Sequence, residues 1–361
     1  MGKMAEKSTG QVLTRQLDDL TLPAELFSSE NGDVVRCLAC AQRCLLREGR
    51  RGICQVRFNQ GGSLFAPWGY VAGLQVDPVE KKPFYHFLPG SIALTFGMLG
   101  CNFHCAYCQN WLTSQAGRDP ACNQVIQQVQ RLSPEQIVAT GLRLGASVLA
   151  SSYNEPLITS EWAAAIFRLA VASGIRCVMV SNGYATPEVL AYLQPTLAGF
   201  KIDLKTMQDR NYRRLGGVLQ HVLDSIQKAH ALGIWVEVVT LLVPGFNDSN
   251  AELWEAARFL VSVSPDIPWH ITAFHQDYRM LEPENTPALS LVQAAEIGSE
   301  AGLRHVYAGN LPGRVHEYET TFCHHCRSAL IKRRGFSIFE NNLTSLGTCP
   351  RCGTQAAGVW D

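Results

Sequence analysis

Short apolar runs alternate with amphipathic stretches through the middle of the chain. The apolar runs predict strands over residues 92–96, 147–151, 177–180, 199–202, 236–242 and 269–274. The stretches between them predict helices, one of which begins with Ser133, Pro134 and Gln136 in the order of a capping box. Thr186-Pro187 and Thr286-Pro287 repeat this start signal. Alternating strands and helices form parallel sheets with the helices packed outside. Because six strand–helix pairs are fewer than the eight of a closed TIM barrel, we expect an α/β fold, a partial (β/α)6 TIM-like barrel, over residues 86–310.

The pattern changes on both sides of this region. Residues 1–34 are polar and mixed, which predicts a tail with a short helix near residues 13–20. Residues 35–85 contain four cysteines and short extended runs, and this segment is too small to build a core alone, so we expect a metal to hold it together. In residues 311–361 the alternation stops and two cysteine pairs appear, which predicts a small C-terminal module.

The composition predicts a globular protein of the cytoplasm. Lys and Arg total 31, as do Asp and Glu, so no surface for polyanions is indicated and nucleic-acid binding is unsupported. No apolar stretch is long enough to span a bilayer, so we expect no membrane partner. Most of the 13 cysteines lie at close spacings, which favours metal ligation in a reducing cytosol over a disulfide framework.

Cys101, Cys105 and Cys108 form a C-x3-C-x2-C loop directly after the first predicted strand. A 4Fe–4S cluster takes four cysteines, so three would leave one iron open to a substrate or cofactor. Two other interpretations are a chance grouping of buried cysteines and a zinc site, although zinc sites usually have four ligands, often from paired C-x2-C motifs. The spacing favours the redox cluster.

The C-terminal module carries a second motif, C-x2-C followed by another C-x2-C. Its members are Cys323, Cys326, Cys349 and Cys352. Two such pairs separated by a loop are typical of a zinc ribbon, and a rubredoxin-like single iron uses a similar set of ligands. We expect zinc.

The N-terminal module has the spacing C-x2-C-x3-C-x9-C. Its members are Cys37, Cys40, Cys44 and Cys54. Four ligands indicate a closed site, which either a zinc ion or an iron–sulfur cluster would satisfy.

Polar residues follow the predicted strands where parallel α/β barrels place their ligand-binding loops. They are Asn154, Glu155, Ser181, Asn182, Asp203, Lys205 and His275. Each also has an ordinary structural interpretation, as a turn former, a helix cap or a core histidine. Their convergence on one end of the predicted barrel favours a binding site.

With these motifs in place, residues 94–274 resemble the pyruvate formate-lyase activating-enzyme branch of the radical S-adenosylmethionine (SAM) superfamily. Tyr107, the aromatic residue just before the third cysteine of the loop, belongs to that signature. The whole chain resembles the radical SAM member of the AmmeMemoRadiSam system. That resemblance is carried by residues 77–90, by Tyr153-Asn154-Glu155-Pro156 and by the cysteine modules at both ends.

The resemblance implies two cofactors. The three loop cysteines would hold a 4Fe–4S cluster whose open iron chelates the amino and carboxylate groups of SAM. The residues implied around SAM are Tyr107, Asn154, Glu155, Ser181, Asn182, Asp203, Lys205 and His275. Reductive cleavage of SAM would give a 5′-deoxyadenosyl radical that abstracts hydrogen from a substrate the sequence does not name, and no catalytic side chain is assigned.

The resemblance also implies partners. They are a reductant such as flavodoxin or ferredoxin, and Memo-like and AMMECR-type proteins that would present the substrate. Two other classes of function remain open on the residues alone: a cysteine-rich iron–sulfur electron carrier or metal sensor, and a zinc-ribbon interaction protein. SAM-binding loops favour the enzyme, because neither a carrier nor an adapter needs them.

Overall fold

A computed structural model of the chain describes residues 16–361, except for the side chain of Asn123. The chain divides into two compact units. The first comprises the chain up to Val76, Ala93–Ala198 and Leu215–Gly217, and the second comprises Asp77–Ile92, Gly199–Arg214 and Val218–Asp361. A strand or helix that crosses the boundary between the units belongs to the unit that holds most of its residues.

Besides the helical residues 16–18, the first unit contains twelve strands and five α-helices among the described residues. The strands are β1 (Thr21–Pro23), β2 (Phe27–Ser29), β3 (Val35–Cys37), β4 (Leu45–Leu46), β5 (Phe58–Gln60), β6 (Ser63–Pro67), β7 (Tyr70–Val71), β8 (Gly73–Pro78), β9 (Ile92–Gly97), β10 (Gln130–Arg131), β11 (Val148–Ser151) and β12 (Arg176–Ser181). The helices are α1 (Trp111–Ser114), α2 (Asn123–Ile126), α3 (Pro134–Arg143), α4 (Ser160–Ala172) and α5 (Pro187–Leu193).

Parallel strands form the centre of the first unit. β11 lies between β9 and β12, and Val148 pairs with Ala93 on one side and Arg176 on the other. Every residue of β11 is buried, as expected for a parallel strand covered on both faces. Two antiparallel sheets, β1-β6-β5 and β2-β3-β4, precede these strands in the chain.

The second unit contains seven strands and four α-helices among the described residues. The strands are β13 (Gly199–Asp203), β14 (Trp235–Leu242), β15 (Trp269–Ala273), β16 (Val306–Gly309), β17 (Thr321–Phe322), β18 (Ala329–Arg334) and β19 (Ser337–Asn341). The helices are α6 (Asp209–Leu215), α7 (Leu219–Ala231), α8 (Asn250–Val263) and α9 (Ala288–Glu300). Strands β13 to β16 run parallel in chain order, while β17, β18 and β19 form an antiparallel sheet.

The α/β fold and all six predicted strands are confirmed, but the count of six parallel strands was too low. Three parallel strands lie in the first unit and four in the second, because β16 pairs parallel with β15. β16 has only four residues and ends in Gly309, so its local pattern is weak. Its pairing with β15 makes it a strand.

The predicted N-terminal tail contains regular structure. Thr21–Pro23 pairs with β6 and Phe27–Ser29 pairs with β3. These strands have three residues each, and Leu22 pairs with the distant Ala66, which no local pattern reveals. Residues 16–18 are helical, and the earlier part of the helix predicted near residues 13–20 lies outside the described residues.

The helix starts that the sequence predicts are present, with one difference in capping. Ser133 accepts a hydrogen bond from the backbone of Gln136, and the side chain of Gln136 accepts one in return, so the capping box is confirmed. Thr286 does not cap α9. Its hydroxyl donates to the Leu242 carbonyl over 2.5 Å and accepts from the Phe274 backbone N–H over 3.0 Å, so it joins the ends of β14 and β15 instead. No helix within residues 16–361 has the length and apolar character needed to cross a membrane.

Candidate functional site

Two glycines shape the three-cysteine loop at the end of β9. A Cβ atom at Gly97 would lie 2.3 Å from the carbonyl oxygen of Ser152. Gly100 has a φ of +94°, and a Cβ atom there would lie 2.9 Å from a methyl carbon of Val56 and 3.0 Å from the carbonyl oxygen of Cys54. Only glycine fits both places, so the loop starts in close contact with the residues around it.

The three cysteines of this loop lie in a largely buried environment. Cys105 and Tyr107 are buried, and Cys101 and Cys108 are half-buried. The backbone N–H of Phe103 donates to the sulfur of Cys101 over 3.3 Å, and the sulfur of Cys108 lies 3.1 Å from the hydroxyl of Ser114. Burial raises the pKa of the Cys101 thiol well above its ordinary value, and the Glu155 carboxylate raises it further. A metal ion bound to the sulfur replaces the thiol proton, so metal binding would offset the free-energy cost of ionising this buried thiol.

Glu155, Ser181 and Asn182 are brought together next to the loop. One carboxylate oxygen of Glu155 accepts from the Ser181 hydroxyl over 2.6 Å and from the Leu157 backbone over 3.0 Å. The other accepts from the backbone N–H of Asn182 over 2.8 Å. This buried carboxylate therefore holds the end of β12 against the start of the turn that follows β11.

Two asparagines join this network to the cysteine loop. Asn154 accepts from the backbone N–H of Met98 over 3.0 Å and so fixes the first residue after β9. The side-chain amide of Asn182 donates to Oδ1 of Asn102 over 2.7 Å and lies 3.9 Å from the sulfur of Cys101. Four of the predicted SAM-binding residues, Asn154, Glu155, Ser181 and Asn182, thus form one network around the loop.

Sequence reasoning missed Asn102 and Arg118. Asn102 is fully buried. It directly follows Cys101, and this position in the sequence could have marked it as a residue of the site. Arg118 donates to the carbonyl oxygens of Cys101 and Phe103 over 2.5 and 2.6 Å, and it also donates to the carbonyl of Ile53. No motif marks Arg118, because its role depends on carbonyl groups that the fold brings to it.

Asp203 and Lys205 lie in the second unit at the end of β13. The Asp203 carboxylate forms an ion pair with Lys201 and another with Lys205, at 3.1 Å from the Lys205 ammonium. Burial alone would raise the pKa of Asp203, but the two ammonium groups outweigh burial and hold the pKa at about 2. The Asn247 side chain donates to the Lys205 carbonyl over 2.7 Å, which ties this loop to the one that follows β14.

His275 follows β15 and is exposed, with its Nδ1 atom 3.2 Å from the carbonyl oxygen of Gln276. His270 on the same strand is buried, and its Nε2 atom lies 2.6 Å from the carboxylate of the buried Glu237. Glu237 also accepts from the backbone N–H groups of Tyr85 and His86 over 3.0 and 2.9 Å. His270 therefore belongs to a structural network, and His275 is the histidine available at the end of β15.

The C-terminal four cysteines form a compact group. The ligand atoms of Cys323, Cys326, Cys349 and Cys352 all lie within 4.8 Å of one another. The sulfurs of Cys323 and Cys352 are 3.6 Å apart, as are those of Cys326 and Cys349. Tetrahedral ligands at the ~2.3 Å of a Zn–S bond would be about 3.8 Å apart, so the group suits a single four-coordinate metal ion.

Comparison with known proteins identifies the family of the central part of the chain. Residues 96–260 match the model of the Radical SAM superfamily. The chain is also 34% identical over 335 residues to an uncharacterized protein of Methanocaldococcus jannaschii, covering 92% of this chain and 98% of that protein. Residues 96–260 of the chain form a radical SAM domain.

Two pyruvate formate-lyase-activating enzymes are also similar to parts of this chain. The chain is 22% identical over 187 residues to the pyruvate formate-lyase-activating enzyme of Staphylococcus aureus, covering 49% of this chain and 72% of that protein. Among solved structures, a domain of the pyruvate formate-lyase-activating enzyme from Bacteroides vulgatus covers 45% of this chain and 98% of its own, with 19% identity and a TM-score of 0.40.

A radical SAM domain implies a 4Fe–4S cluster, SAM and a reductant. The residues of the cysteine loop fit the cluster. Three soft sulfur donors come from one loop that is held by buried backbone and side-chain hydrogen bonds, and three thiolates leave one iron for another ligand. Cys101, Cys105 and Cys108 are the residues that would hold the cluster.

Proposed function

We propose that this protein is an activating-enzyme-like radical SAM enzyme of the AmmeMemoRadiSam type. The observation that carries the proposal is the network in which Asn182 reaches from the Glu155 carboxylate to the first cysteine of the loop. When bound, the reduced cluster supplies the electron that splits the sulfonium of SAM into methionine and a 5′-deoxyadenosyl radical. The protein binds and orients the cofactor and excludes water from it.

The side chains of the network have separate roles in this proposal. Asn154 and Asn182 set the position of the cysteine loop through Met98 and Asn102. Glu155 and Ser181 orient the adjoining turn, from which Glu155 would contact the SAM amino group. Tyr107, Asp203, Lys205 and His275 complete the set proposed to bind SAM, with Asp203 and Lys205 acting on the ribose and methionine parts.

The C-terminal group is proposed to hold a structural zinc ion. Its four sulfurs are closely spaced, which supports one metal ion with no open coordination position. We propose a zinc ribbon for residues 311–361, a partial barrel for residues 86–310 and a cytoplasmic location. The ribbon has no part in splitting SAM in this proposal.

The experiment that tests the enzymatic proposal is anaerobic reconstitution followed by an assay for 5′-deoxyadenosine with dithionite as reductant. Wild-type protein should form 5′-deoxyadenosine, and a variant with alanine at Cys101, Cys105 and Cys108 should form none. Cys177→Ala is the matched control, because Cys177 is a buried cysteine of β12 outside the three cysteine motifs. Product formation by the triple variant would refute the proposal.

The substrate is proposed to be a polypeptide, or a molecule that a Memo-like or AMMECR-type partner presents. We expect the enzyme alone to cleave SAM slowly and the right partner to increase the rate, since substrate binding would complete the site. Deuterium placed in the partner or in the molecule it holds should appear in 5′-deoxyadenosine. Deuterium transfer from a free metabolite with no partner present would indicate a small-molecule enzyme instead.

A further inference from the structure

Contacts link the four N-terminal cysteines within the first unit, where Cys40 and Cys54 belong to one buried cluster. Cys37, Cys40 and Cys54 are buried, and Cys44 is half-buried. The backbone N–H of Cys37 donates to the carbonyl of Cys44 over 3.0 Å, which closes the loop between them. A Cβ atom at Gly52 would lie 3.6 Å from the sulfur of Cys44 and 3.7 Å from that of Cys54. Glycine at this position therefore leaves the space beside these two sulfurs open.

The spacing of these sulfurs differs from that of a single-ion site. Within residues 16–361, one group of three or more possible metal ligands has all its ligand atoms within 4.8 Å of one another. That group is the C-terminal four cysteines. The N-terminal sulfurs are therefore spread more widely than the ligands of one tetrahedral ion. A 4Fe–4S cluster needs such a spread, because each cysteine binds a different iron.

Two buried N–H donors near these cysteines lack hydrogen-bond partners among the described residues. One is Nε of Arg57, a residue only 1% exposed, whose terminal nitrogens pair with Glu161 over 2.6 and 2.7 Å. Its Nη1 atom also donates over 3.0 Å to the carbonyl of Ile158, which belongs to one buried cluster with Cys40 and Cys54. A buried donor without an acceptor is energetically costly, and the sulfurs of an iron–sulfur cluster accept hydrogen bonds. A cluster at these cysteines would therefore supply the missing acceptor.

The second donor is Nδ2 of Asn102, whose backbone carbonyl accepts a hydrogen bond over 3.3 Å from the side chain of Gln42, a residue between Cys40 and Cys44. Asn102 is also the residue after Cys101, so a single residue links the N-terminal cysteines to the three-cysteine loop. Two other contacts join the same regions. Gly100 lies against the carbonyl of Cys54, and Arg118 donates to the carbonyls of both Ile53 and Cys101.

We propose that Cys37, Cys40, Cys44 and Cys54 hold a second 4Fe–4S cluster, next to the loop of the SAM-binding cluster. Its four irons are all ligated by cysteine, so it does not bind SAM. Arg57 and Asn102 donate hydrogen bonds to its sulfurs. This assignment concerns the metal and does not depend on which substrate the enzyme uses.

The first test is metal analysis and Mössbauer spectroscopy of the full-length wild-type chain after anaerobic reconstitution. Two 4Fe–4S clusters correspond to about eight irons per chain, and the C-terminal group adds about one zinc. About four irons together with about two zincs would overturn the proposal. This measurement needs no variant and so is independent of any folding defect.

The second test separates the two clusters by variants. Alanine at Cys101, Cys105 and Cys108 should halve the iron content and leave an EPR signal that SAM does not change. Alanine at Cys40 and Cys54 should also halve it, but the remaining signal should respond to SAM. Iron-free protein after the first set of substitutions, with native circular dichroism, would refute the second cluster. Failure of wild-type protein to cleave SAM while the first variant keeps about four irons would refute the proposed function alone.

The third test concerns Asn102. Asn102→Ala removes the unpaired amide donor proposed to bond with the cluster, so it should shift the reduction potential of the SAM-insensitive cluster while the iron content stays at the wild-type level. Gln115→Ala is the matched control, because Gln115 is also buried and donates to the Phe103 carbonyl of the same loop. An equal shift in both variants would indicate a general effect of loop packing and count against the proposed hydrogen bond.

Discussion

The C-terminal four-cysteine group and the three-cysteine loop of the first unit differ in what surrounds their sulfurs. In the C-terminal group, Cys352 is exposed. Its sulfur lies 3.6 Å from that of Cys323, and the sulfurs of Cys326 and Cys349 are also 3.6 Å apart. The three-cysteine loop is instead enclosed by close glycine contacts, a buried carboxylate and two asparagines. Four cysteines that fill every coordination position of a metal ion need few other residues to hold it. An open set of three depends on the fold to protect the open position and to bind what occupies it.

The first way to break this comparison is to crowd the open loop. Gly100→Ala should abolish iron binding at Cys101, Cys105 and Cys108, because the new methyl group would lie 2.9 Å from Val56 at a φ of +94°. Destabilisation of about 1–3 kcal/mol is expected from the overpacking. Iron content and thermal unfolding would measure both effects.

Gly174→Ala is the control for that substitution, since Gly174 also has a positive φ, +79°, but has open space around its Cβ position. It should lose about 1 kcal/mol of stability through backbone strain and keep its iron. Equal iron loss in both variants would show that strain alone, and not contact with the loop, controls cluster binding.

The second test acts on the buried carboxylate beside the loop. Glu155→Gln places an amide NH2 group opposite at least one of the present donors, which then has no acceptor, at a cost of about 1–3 kcal/mol. We expect the iron content to persist and SAM affinity to fall by roughly tenfold or more. Titration with SAM followed by EPR would measure it, with the exposed Glu188→Gln as control. Lost iron with unchanged SAM affinity would contradict the role given to Glu155.

A third test uses pH to probe Asp203 in the second unit. Its pKa is about 2 in the folded protein and near 3.9 in an unfolded chain, so the ion pairs stabilise the protein above about pH 4. This stabilisation, on the order of 1–2 kcal/mol after allowance for partial exposure, should be lost as the pH falls from about 4 to about 2.

Melting temperatures across this range would measure the effect of Asp203. Asp203→Asn should show a smaller decrease than wild type, whereas the exposed Asp224→Asn should follow wild type. Identical pH profiles for wild type and Asp203→Asn would mean that the two lysines do not lower the pKa of Asp203.

The smallest effect on SAM cleavage is expected from opening the C-terminal group. Cys326→Ala combined with Cys352→Ala should remove about one metal ion per chain and leave the yield of 5′-deoxyadenosine at the wild-type level. Zinc and iron analysis of the full-length variant would accompany the assay. A yield that falls in proportion to the lost zinc would show that the two sites are coupled, and the contrast between closed and open sets would then fail.

Much of the fold could be predicted from local patterns. The capping box at Ser133 joins residues three positions apart, and the parallel strands have apolar runs that reflect burial on both faces. Thr186 caps α5 for the same local reason. Thr286 has an equal signal, yet its hydroxyl bonds with the ends of β14 and β15, because those backbone groups are closer once the chain has folded.

In the candidate site, too, some features follow from the sequence alone and others only from the tertiary structure. Cysteine spacing alone determined the three motifs, because ligands of one metal come from a few short segments. Tertiary structure alone decided that Glu155 pairs with Ser181 and Asn182, and that Arg57 pairs with Glu161, 104 residues away. It also decided the role of Asn102 and the close spacing of the C-terminal sulfurs. Which groups meet, and how far apart they lie, depends on packing between distant segments, and no local pattern in the sequence records those distances.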